Sequence, residues 1–202
     1  MKRGDPGKKA ELNELLDKRN SSPEQRAVVD RIIKDTFEQQ MAVMVTDSVG
    51  FSHCTIEHGI IHFLALLKKM NDEIKPIVTR YNGVVLGEWA DNFVISFDKP
   101  KDAINAAIDI NRHITNYNES APVDSRFGIC IGIGHGTVLF TGDDIFGNEV
   151  NLASKLGEDI AREGEICVTD NVYHTCKDHF TFTEAQEIEV SHVTFKYYKV
   201  DY

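Results

Sequence analysis

The hydrophobic positions of the chain recur with two different periods, which predict its helices and strands. Helical spacing predicts amphipathic helices over Ser22–Gln40, about Ile56–Arg80 and about Pro100–Tyr117, with Pro76 kinking or shortening the second. The first helix has a start signal, because its N-terminal serine is followed by proline and, two residues later, by glutamine. Its apolar stripe comprises Val28, Val29, Ile32, Ile33 and Phe37.

β-type runs and turn signals separate these helices. The predicted strands are Met41–Asp47, Val84–Leu86, Asn92–Phe97, Phe127–Gly134, Thr137–Phe140, Glu165–Thr169, Phe180–Thr183 and Thr194–Val200, with short helices near Glu149–Leu156 and Asn171–Lys177. The order β-α-β-β-α-β at the front is ferredoxin-like. We therefore predict an α+β fold with a ferredoxin-like core, additional C-terminal strands and a preceding N-terminal helical segment.

The N-terminal segment is polar and lacks the periodic hydrophobic positions of the rest of the chain. Residues 1–20 predict a mobile arm with one short helix near Ala10–Lys18. We accordingly divide the chain into an N-terminal arm and helix, residues 1–40, and a domain of residues 41–202. The helix at Ser22–Gln40 enters the first strand directly, where an upstream sensor domain could be coupled.

Charge and composition narrow the classes of function. The formal net charge is −10, which argues against binding to nucleic acid or to anionic lipid. The longest apolar stretch, around Ile60–Leu67, is far below the ~20 residues that span a bilayer, so no membrane insertion is expected. Four cysteines occur without a CxxC pair, which predicts reduced and mostly buried thiols. Together these features predict a soluble cytoplasmic domain.

Two aspartates stand where neighbouring strands end. Asp47 closes a hydrophobic strand and precedes a glycine-containing turn, and Asp91 lies in the next hairpin. Carboxylates on adjacent strand ends can hold two divalent cations ~3.5–4 Å apart, and a turn of this kind brings backbone N–H groups to phosphate oxygens. Taken singly, each aspartate is better explained as a helix cap or a turn residue.

Their surroundings carry a more specific signal. The segments VTDSVGFS, GVVLGEWADNFVISF, FGICIGIGHG, DDIFGNEVNLASKL and GEICVT follow one another over Met41–Thr169. In order and spacing they resemble the motifs of class III nucleotidyl cyclase catalytic domains. The resemblance fades beyond Thr169.

The resemblance implies an active site residue by residue. Asp47 and Asp91 would be the ligands of two divalent cations, Mg²⁺ or Mn²⁺, and the turn would hold the β- and γ-phosphates. The residues of that turn are Ser48, Val49, Gly50, Phe51 and Ser52. Asp144 would read the purine, where a carboxylate accepts from the adenine 6-amino group and favours ATP over GTP.

The transition-state residues follow from the same resemblance. Asn151 would position the ribose and Lys155, four residues further on the same helix face, would stabilise charge on the α-phosphate. In this family the metal ligands come from one chain and Asp144, Asn151 and Lys155 from the other, which implies a homodimer with shared sites.

Three positions depart from the family pattern. Gly87 stands where adenylyl cyclases carry a purine-reading lysine. Lys155 stands where the family usually has arginine, and lysine lacks the guanidinium group that can form two parallel hydrogen bonds. The C-terminal stretch Val190–Val200 lacks the expected triphosphate-binding lysine. The resemblance as a whole makes an adenylyl cyclase the first hypothesis. Its alternatives are a catalytically weak or silent nucleotide-binding and dimerisation module and, opposed by Asp144, a guanylyl cyclase.

Overall fold

The structure, a computed structural model, describes residues 6–89, 92–190 and 193–202. Its helices are α1 (Pro6–Ser21), α2 (Arg26–Phe37), α3 (Phe51–His58), α4 (Ile60–Arg80), α5 (Pro100–Ser120), α6 (Asn148–Lys155) and α7 (Asp170–Cys176). Its strands are β1 (Glu38–Ser48), β2 (Val84–Trp89), β3 (Asn92–Phe97), β4 (Ile129–Phe140), β5 (Ile145–Phe146), β6 (Ile166–Thr169), β7 (Thr181–Phe182), β8 (Gln186–Val190) and β9 (Val193–Asp201). For a few residues, among them Phe51 and Ser52, the backbone alone is described.

The strands form one twisted sheet in the order β2-β3-β1-β4-β6-β9-β7. β1 lies inside the sheet and pairs antiparallel with β3 and β4, and β4 pairs parallel with β6. The first four strands, in the order 2-3-1-4, with their intervening helices make the predicted ferredoxin-like βαββαβ core, so the α+β prediction is confirmed. β8, which the sequence did not predict, pairs with β9.

Alternation along β1 gives the sheet two different faces. Ala42 and Met44 face the larger core, where α4 and α5 cover the sheet. Met41, Val43 and Val45 face the opposite side and pack with Ala153 of α6. The second face is therefore the one on which α6 lies.

The helix in the N-terminal segment is longer, and more closely packed on the rest of the chain, than the polarity of this segment predicts. α1 covers Pro6–Ser21, and Leu12 is only 5% exposed, in a cluster with Phe37 of α2. The predicted start of the next helix is a 3₁₀ turn in which the N–H of Gln25 donates to the carbonyl of Ser22 (3.0 Å). On α2 the apolar stripe is split, since Val28 is 62% exposed whereas Val29 is buried.

The helix predicted over Ile56–Arg80 is in fact two. Gly59, with φ of 83°, separates α3 from α4 because this left-handed conformation interrupts the helix. Pro76 does not shorten α4, which continues to Arg80. The two runs predicted within Phe127–Phe140 are a single strand, β4. In the part of the chain that the structure describes, no helix combines the length and apolarity that crossing a membrane requires.

Candidate active site

Asp47 lies at the carboxyl end of the central strand β1. It has the same alternation as Val43 and Val45, so its side chain belongs to the sheet face that carries α6. It is half-buried and stands opposite Cys130 of β4. Burial, and then the charge of Asp47, raises the pKa of the Cys130 thiol to about 11. Cys130 is therefore a neutral neighbour that leaves the negative charge at this strand end to the carboxylate.

The second predicted metal ligand, Asp91, lies outside the described residues. The structure describes β3 from Asn92 onward, and Thr46 of β1 is paired with Phe93. The start of β3 therefore adjoins the end of β1. Asn92 Nδ2 donates to Glu158 Oε1 (3.1 Å), which ties this corner of the sheet to the segment that follows α6.

The predicted phosphate-binding turn connects β1 to α3. Gly50 precedes α3 with φ of 85°, a conformation that favours glycine even though the surrounding space is open. The N–H of Val49 donates to the carbonyl of Gly128 (2.9 Å), which fixes the turn and occupies that donor. The donors that the turn can offer an anion include the first N–H groups of α3, at Phe51 and Ser52, since the first turn of a helix has no intrahelical acceptors for them.

A row of glycines on β4 allows α6 to lie directly on the sheet. A Cβ at Gly132 would stand 2.0 Å from the carbonyl oxygen of Ala153, and one at Gly134 would stand 2.3 Å from that of Glu149. No side chain can be placed in such contacts, so the helix backbone touches the strand backbone. This close approach sets the position of every side chain on α6.

Glu149 anchors the start of α6 through three hydrogen bonds. Its carboxylate is buried and accepts from the backbone N–H of His135 (3.0 Å), from Thr169 Oγ1 (2.8 Å) and from Asn171 Nδ2 (2.7 Å). Donors from three separate elements therefore converge on one side chain. Reading the sequence did not single out this residue, because a glutamate near a helix start is ordinary.

Asn151 and Lys155 share one face of α6, as predicted. Asn151 is exposed, and its backbone N–H donates to the carbonyl of Gly147 (3.3 Å). Lys155 is partly exposed and forms an ion pair with Asp159, four residues further on. The ammonium group is held close to the helix end, and an exposed pair of this kind is weak enough to be exchanged for another anion.

Asp144, the predicted purine reader, stands in the turn between β4 and β5. Thr141 is fully buried and holds this turn, because its Oγ1 accepts from the N–H of Asp144 (3.1 Å) and its own N–H donates to the Asp144 carbonyl (3.0 Å). The carboxylate of Asp144 forms an ion pair with Lys9 of α1. Sequence reading missed this partner, which comes from the segment predicted to be a mobile arm.

Gly87 lies on β2, where the pairing with β3 changes register. Val85 is opposite Ile95, yet Gly87 is opposite Val94, so Leu86 forms a bulge beside the glycine. The structure thus places a local irregularity at the position where the resemblance leads one to expect a lysine.

The register of β1 and β4 separates the candidate residues into two groups. Asp47 is opposite Cys130, whereas Glu38, at the other end of β1, is opposite Leu139. These pairs are nine residues apart along β1, roughly 30 Å at about 3.4 Å per residue of antiparallel strand. Asp144 follows the far end of β4. One chain therefore holds Asp47 and Asp144 at opposite ends of its sheet, further apart than an extended nucleoside triphosphate can reach.

Other candidate groups lie beside the phosphate-binding turn. His58, the last residue of α3, and His62 of α4 have ring centroids 4.9 Å apart, and His62 Nε2 lies 2.7 Å from the carbonyl oxygen of Asp124. A cavity of about 460 Å³ opens nearby, lined by groups that include Cys54 and Met70. Within residues 6–89, 92–190 and 193–202 no cluster of three or more histidine, cysteine, aspartate or glutamate side chains could hold a metal ion.

Comparison with known proteins identifies the family. The family model for the adenylate and guanylate cyclase catalytic domain matches residues 33–200. The chain therefore belongs to this family, and it is a class III nucleotidyl cyclase catalytic domain. Because the model describes both adenylate and guanylate cyclases, membership leaves the purine undecided.

Solved structures share the fold of this chain, and a curated relative of low identity resembles it in sequence. An adenylate/guanylate cyclase/hydrolase from Silicibacter pomeroyi is 24% identical with a TM-score of 0.70, over 81% of this chain and 96% of that one. The adenylyl cyclase CyaB from P. aeruginosa is 24% identical with a TM-score of 0.69, over 81% and 94%. A protein of Rhizobium meliloti (strain 1021) named "Putative adenylate cyclase 3" is 21% identical over 141 residues, 69% of this chain. The match spans only 24% of that protein's length.

Cyclase catalytic domains generally use divalent metal ions, and the described donor set fits one position for such an ion. Asp47 offers a half-buried carboxylate at a strand end, and carboxylate oxygen is the ligand type that Mg²⁺ and Mn²⁺ prefer. Cys130, which is opposite Asp47 on β4, offers sulfur, a ligand type that suits softer metal ions than Mg²⁺ or Mn²⁺. The second carboxylate of the predicted pair is Asp91, outside the described residues.

Proposed function

We propose that this protein is an adenylyl cyclase that converts ATP to 3′,5′-cyclic AMP and pyrophosphate in sites shared between two copies of the chain. The observation that carries the proposal is the separation of Asp47 from Asp144 along the β1–β4 ladder. Because one chain cannot bring both groups to one nucleotide, a complete site needs the metal end of one copy and the Asp144 end of another. Two such sites would arise in a two-fold symmetric dimer.

At the first end, Asp47 and Asp91 would hold two divalent cations. Bound there, the cations would neutralise the triphosphate and favour ionisation of the ribose 3′-hydroxyl. The N–H groups that begin α3 point toward the same strand end and bind phosphate oxygens, assisted by the positive end of the helix dipole. The turn of Val49 and Gly50 keeps those donors in place through the bond to Gly128.

In each shared site, α6 of the other copy orients the reacting groups. Asn151 donates to or accepts from the ribose, which aligns the 3′-oxygen with the α-phosphorus. The new bond joins O3′ to that phosphorus, the bond to the bridging oxygen of pyrophosphate breaks, and the hydroxyl proton passes to solvent. Lys155 leaves Asp159 to pair with the oxygens of the α-phosphate, where negative charge accumulates. As a single point charge it stabilises this charge less well than a bidentate guanidinium.

The choice of ATP rests on Asp144. An ionised carboxylate can only accept hydrogen bonds, so it pairs with the 6-amino group of adenine and repels the 6-carbonyl of guanine. The Thr141 turn holds the backbone of Asp144 in place, which keeps this acceptor at a defined position.

A complementation experiment tests both the chemistry and the sharing of sites. Asp47→Asn and Asn151→Ala should each make no cyclic AMP from ATP and Mn²⁺, while their thermal melting curves stay close to that of the wild type. An equimolar mixture should recover about a quarter of wild-type activity, because half of the dimers are mixed and each has one intact site. Activity of either variant alone near the wild-type level would contradict the assigned roles. Two inactive variants whose mixture stays inactive would contradict shared sites.

A second candidate is a cyclase-like module that binds nucleotide and dimerises without turnover. Gly87 and the pairing of Lys155 with Asp159 favour it, since both reduce the donors available to the substrate. Wild-type protein that binds ATP but forms no cyclic product from ATP or GTP would establish this alternative.

A further inference from the structure

The contact between Lys9 and Asp144 joins the N-terminal helix to the candidate purine-reading carboxylate. Asp144 raises the pKa of the Lys9 ammonium above its ordinary value of 10.5, first through the hydrogen bond and then through charge, so Lys9 carries its positive charge at neutral pH. Lys9 is outside residues 33–200, which match the family.

The position of Lys9 is set by two attachments that follow it along α1. Leu12, one turn further along α1, is 5% exposed in a cluster that includes Val29 and Phe37 of α2 and is flanked by Leu139 of β4. Leu139 lies in the strand that leads into the Asp144 turn.

The other end of α1 is held to α2 by a two-point ion pair. Arg19 Nε lies 2.5 Å from Asp30 Oδ1, and its Nη2 lies 3.4 Å from Asp30 Oδ2. α1 is therefore docked as a unit, and its first turn presents Lys9 to the β4–β5 turn rather than to solvent alone.

The pair has a hydrogen-bonding capacity that the carboxylate lacks. Asp144 can only accept, whereas the Watson–Crick edge of adenine offers a donor, the 6-amino group, beside an acceptor, N1. An ammonium group next to the carboxylate supplies the missing donor. Guanine presents a carbonyl and a ring N–H in the same two places, so both contacts become repulsive.

We propose that Lys9 of α1 is a specificity-determining residue, which donates to N1 of adenine while Asp144 accepts from the 6-amino group. The assignment rests on the proposed cyclase function. It gives the N-terminal helix a place in the nucleotide site and supplies from another element the donor that Gly87, without a side chain, cannot provide.

The test compares ATP with GTP in single-residue variants of the full chain. Lys9→Gln should lower the ratio of kcat/KM for ATP to kcat/KM for GTP about 10-fold, the effect expected for one lost charge-assisted hydrogen bond. The ratio should fall because kcat/KM for ATP decreases, mainly through a higher KM for ATP. Lys9→Arg should keep most of the discrimination, because arginine also donates. Lys8→Gln is the matched control, since it removes the same charge one residue away and leaves the Lys9–Asp144 pair intact.

Two results would overturn the proposal. An unchanged ratio in Lys9→Gln would show that the contact only docks the helix. A rise in kcat/KM for ATP would show that Lys9 blocks Asp144 instead of assisting it. If wild-type protein makes no cyclic nucleotide, the proposed function fails, and the Lys9 assignment is decided separately by calorimetry. The ratio of the GTP to the ATP dissociation constant should then fall in Lys9→Gln, and an unchanged ratio would refute it.

Discussion

Replacing Gly132 by alanine tests whether the contact between β4 and α6 positions the catalytic helix. The added Cβ would stand 2.0 Å from the Ala153 carbonyl oxygen and 2.5 Å from the backbone nitrogen of Gly157. To restore even a tight non-bonded contact, α6 must withdraw by about 1 Å. Both obstructing atoms belong to backbone, so no side-chain rotation can relieve the clash.

This displacement should affect stability and turnover to different extents. Overpacking of a core site destabilises by roughly 1–3 kcal/mol, and in a domain of this size each kcal/mol lowers Tm by about 2–4 °C. A shift of about 1 Å in Asn151 and Lys155 should lower kcat/KM by about 100-fold. The assays are a thermal melt and steady-state formation of cyclic AMP.

The other glycines of the row provide a graded series. A Cβ at Gly134 would stand 2.3 Å from the Glu149 carbonyl oxygen, whereas one at Gly136 meets the Glu149 side chain at 2.8 Å. The losses of stability and of kcat/KM in Gly134→Ala should therefore approach those in Gly132→Ala. The losses in Gly136→Ala should be smaller. Gly128→Ala is the stability control, because its clash is with the exposed side chain of Glu163, which can rotate away. A Gly132→Ala protein that melts and turns over like the wild type would refute the reasoning.

Two further predictions concern Glu149 and His135. Glu149→Gln should lower the free energy of unfolding by about 1–3 kcal/mol in urea titrations, because an amide NH₂ would replace one of the two carboxylate oxygens that accept from Thr169 and Asn171, and would face a donor; an unchanged midpoint would contradict this. Burial lowers the pKa of His135 below its ordinary value of 6.5, against the opposing charge of Glu149, so the unfolded chain binds its proton more readily. Stability should therefore be fully present above pH 6.5 and fall as the pH drops below it, and the decline in Tm should be shallower in His135→Gln than in the wild type.

Much of the core fold could be predicted from local patterns. The strand Met41–Asp47 and the hairpin that follows α4 have short-range periodicity and turn signals, and the structure confirms the ferredoxin-like order. The break at Gly59 was missed because apolar residues keep a helical spacing on both sides of it. β8 was missed because its polar alternation, QEIEV, becomes a strand only through pairing with β9.

The residues of the candidate site likewise fall into those that local sequence could predict and those that it could not. Asp47 was predicted as a site residue because a carboxylate at a strand end is a local feature of the sequence, whereas Asp144, Asn151 and Lys155 were predicted from the family resemblance of short segments. Glu149 was missed because its role arises from donors on β4, β6 and α7, which meet only after folding.

Metal ligation and base reading place two different constraints on the residues around one nucleotide. The first concerns Asp47, and the second concerns Asp144 and Lys9. Metal ligation needs carboxylates at fixed strand ends, so a chain of this fold has little freedom in where Asp47 stands. Base reading needs only a donor and an acceptor at two points, and a lysine can deliver a donor from any element within reach of its long side chain. This difference explains how Gly87 can be tolerated in β2 while an ammonium group still faces Asp144. With Lys9 in the proposed role, one determinant of base selection would lie in a helix outside the family-matched residues, and that helix is docked on α2.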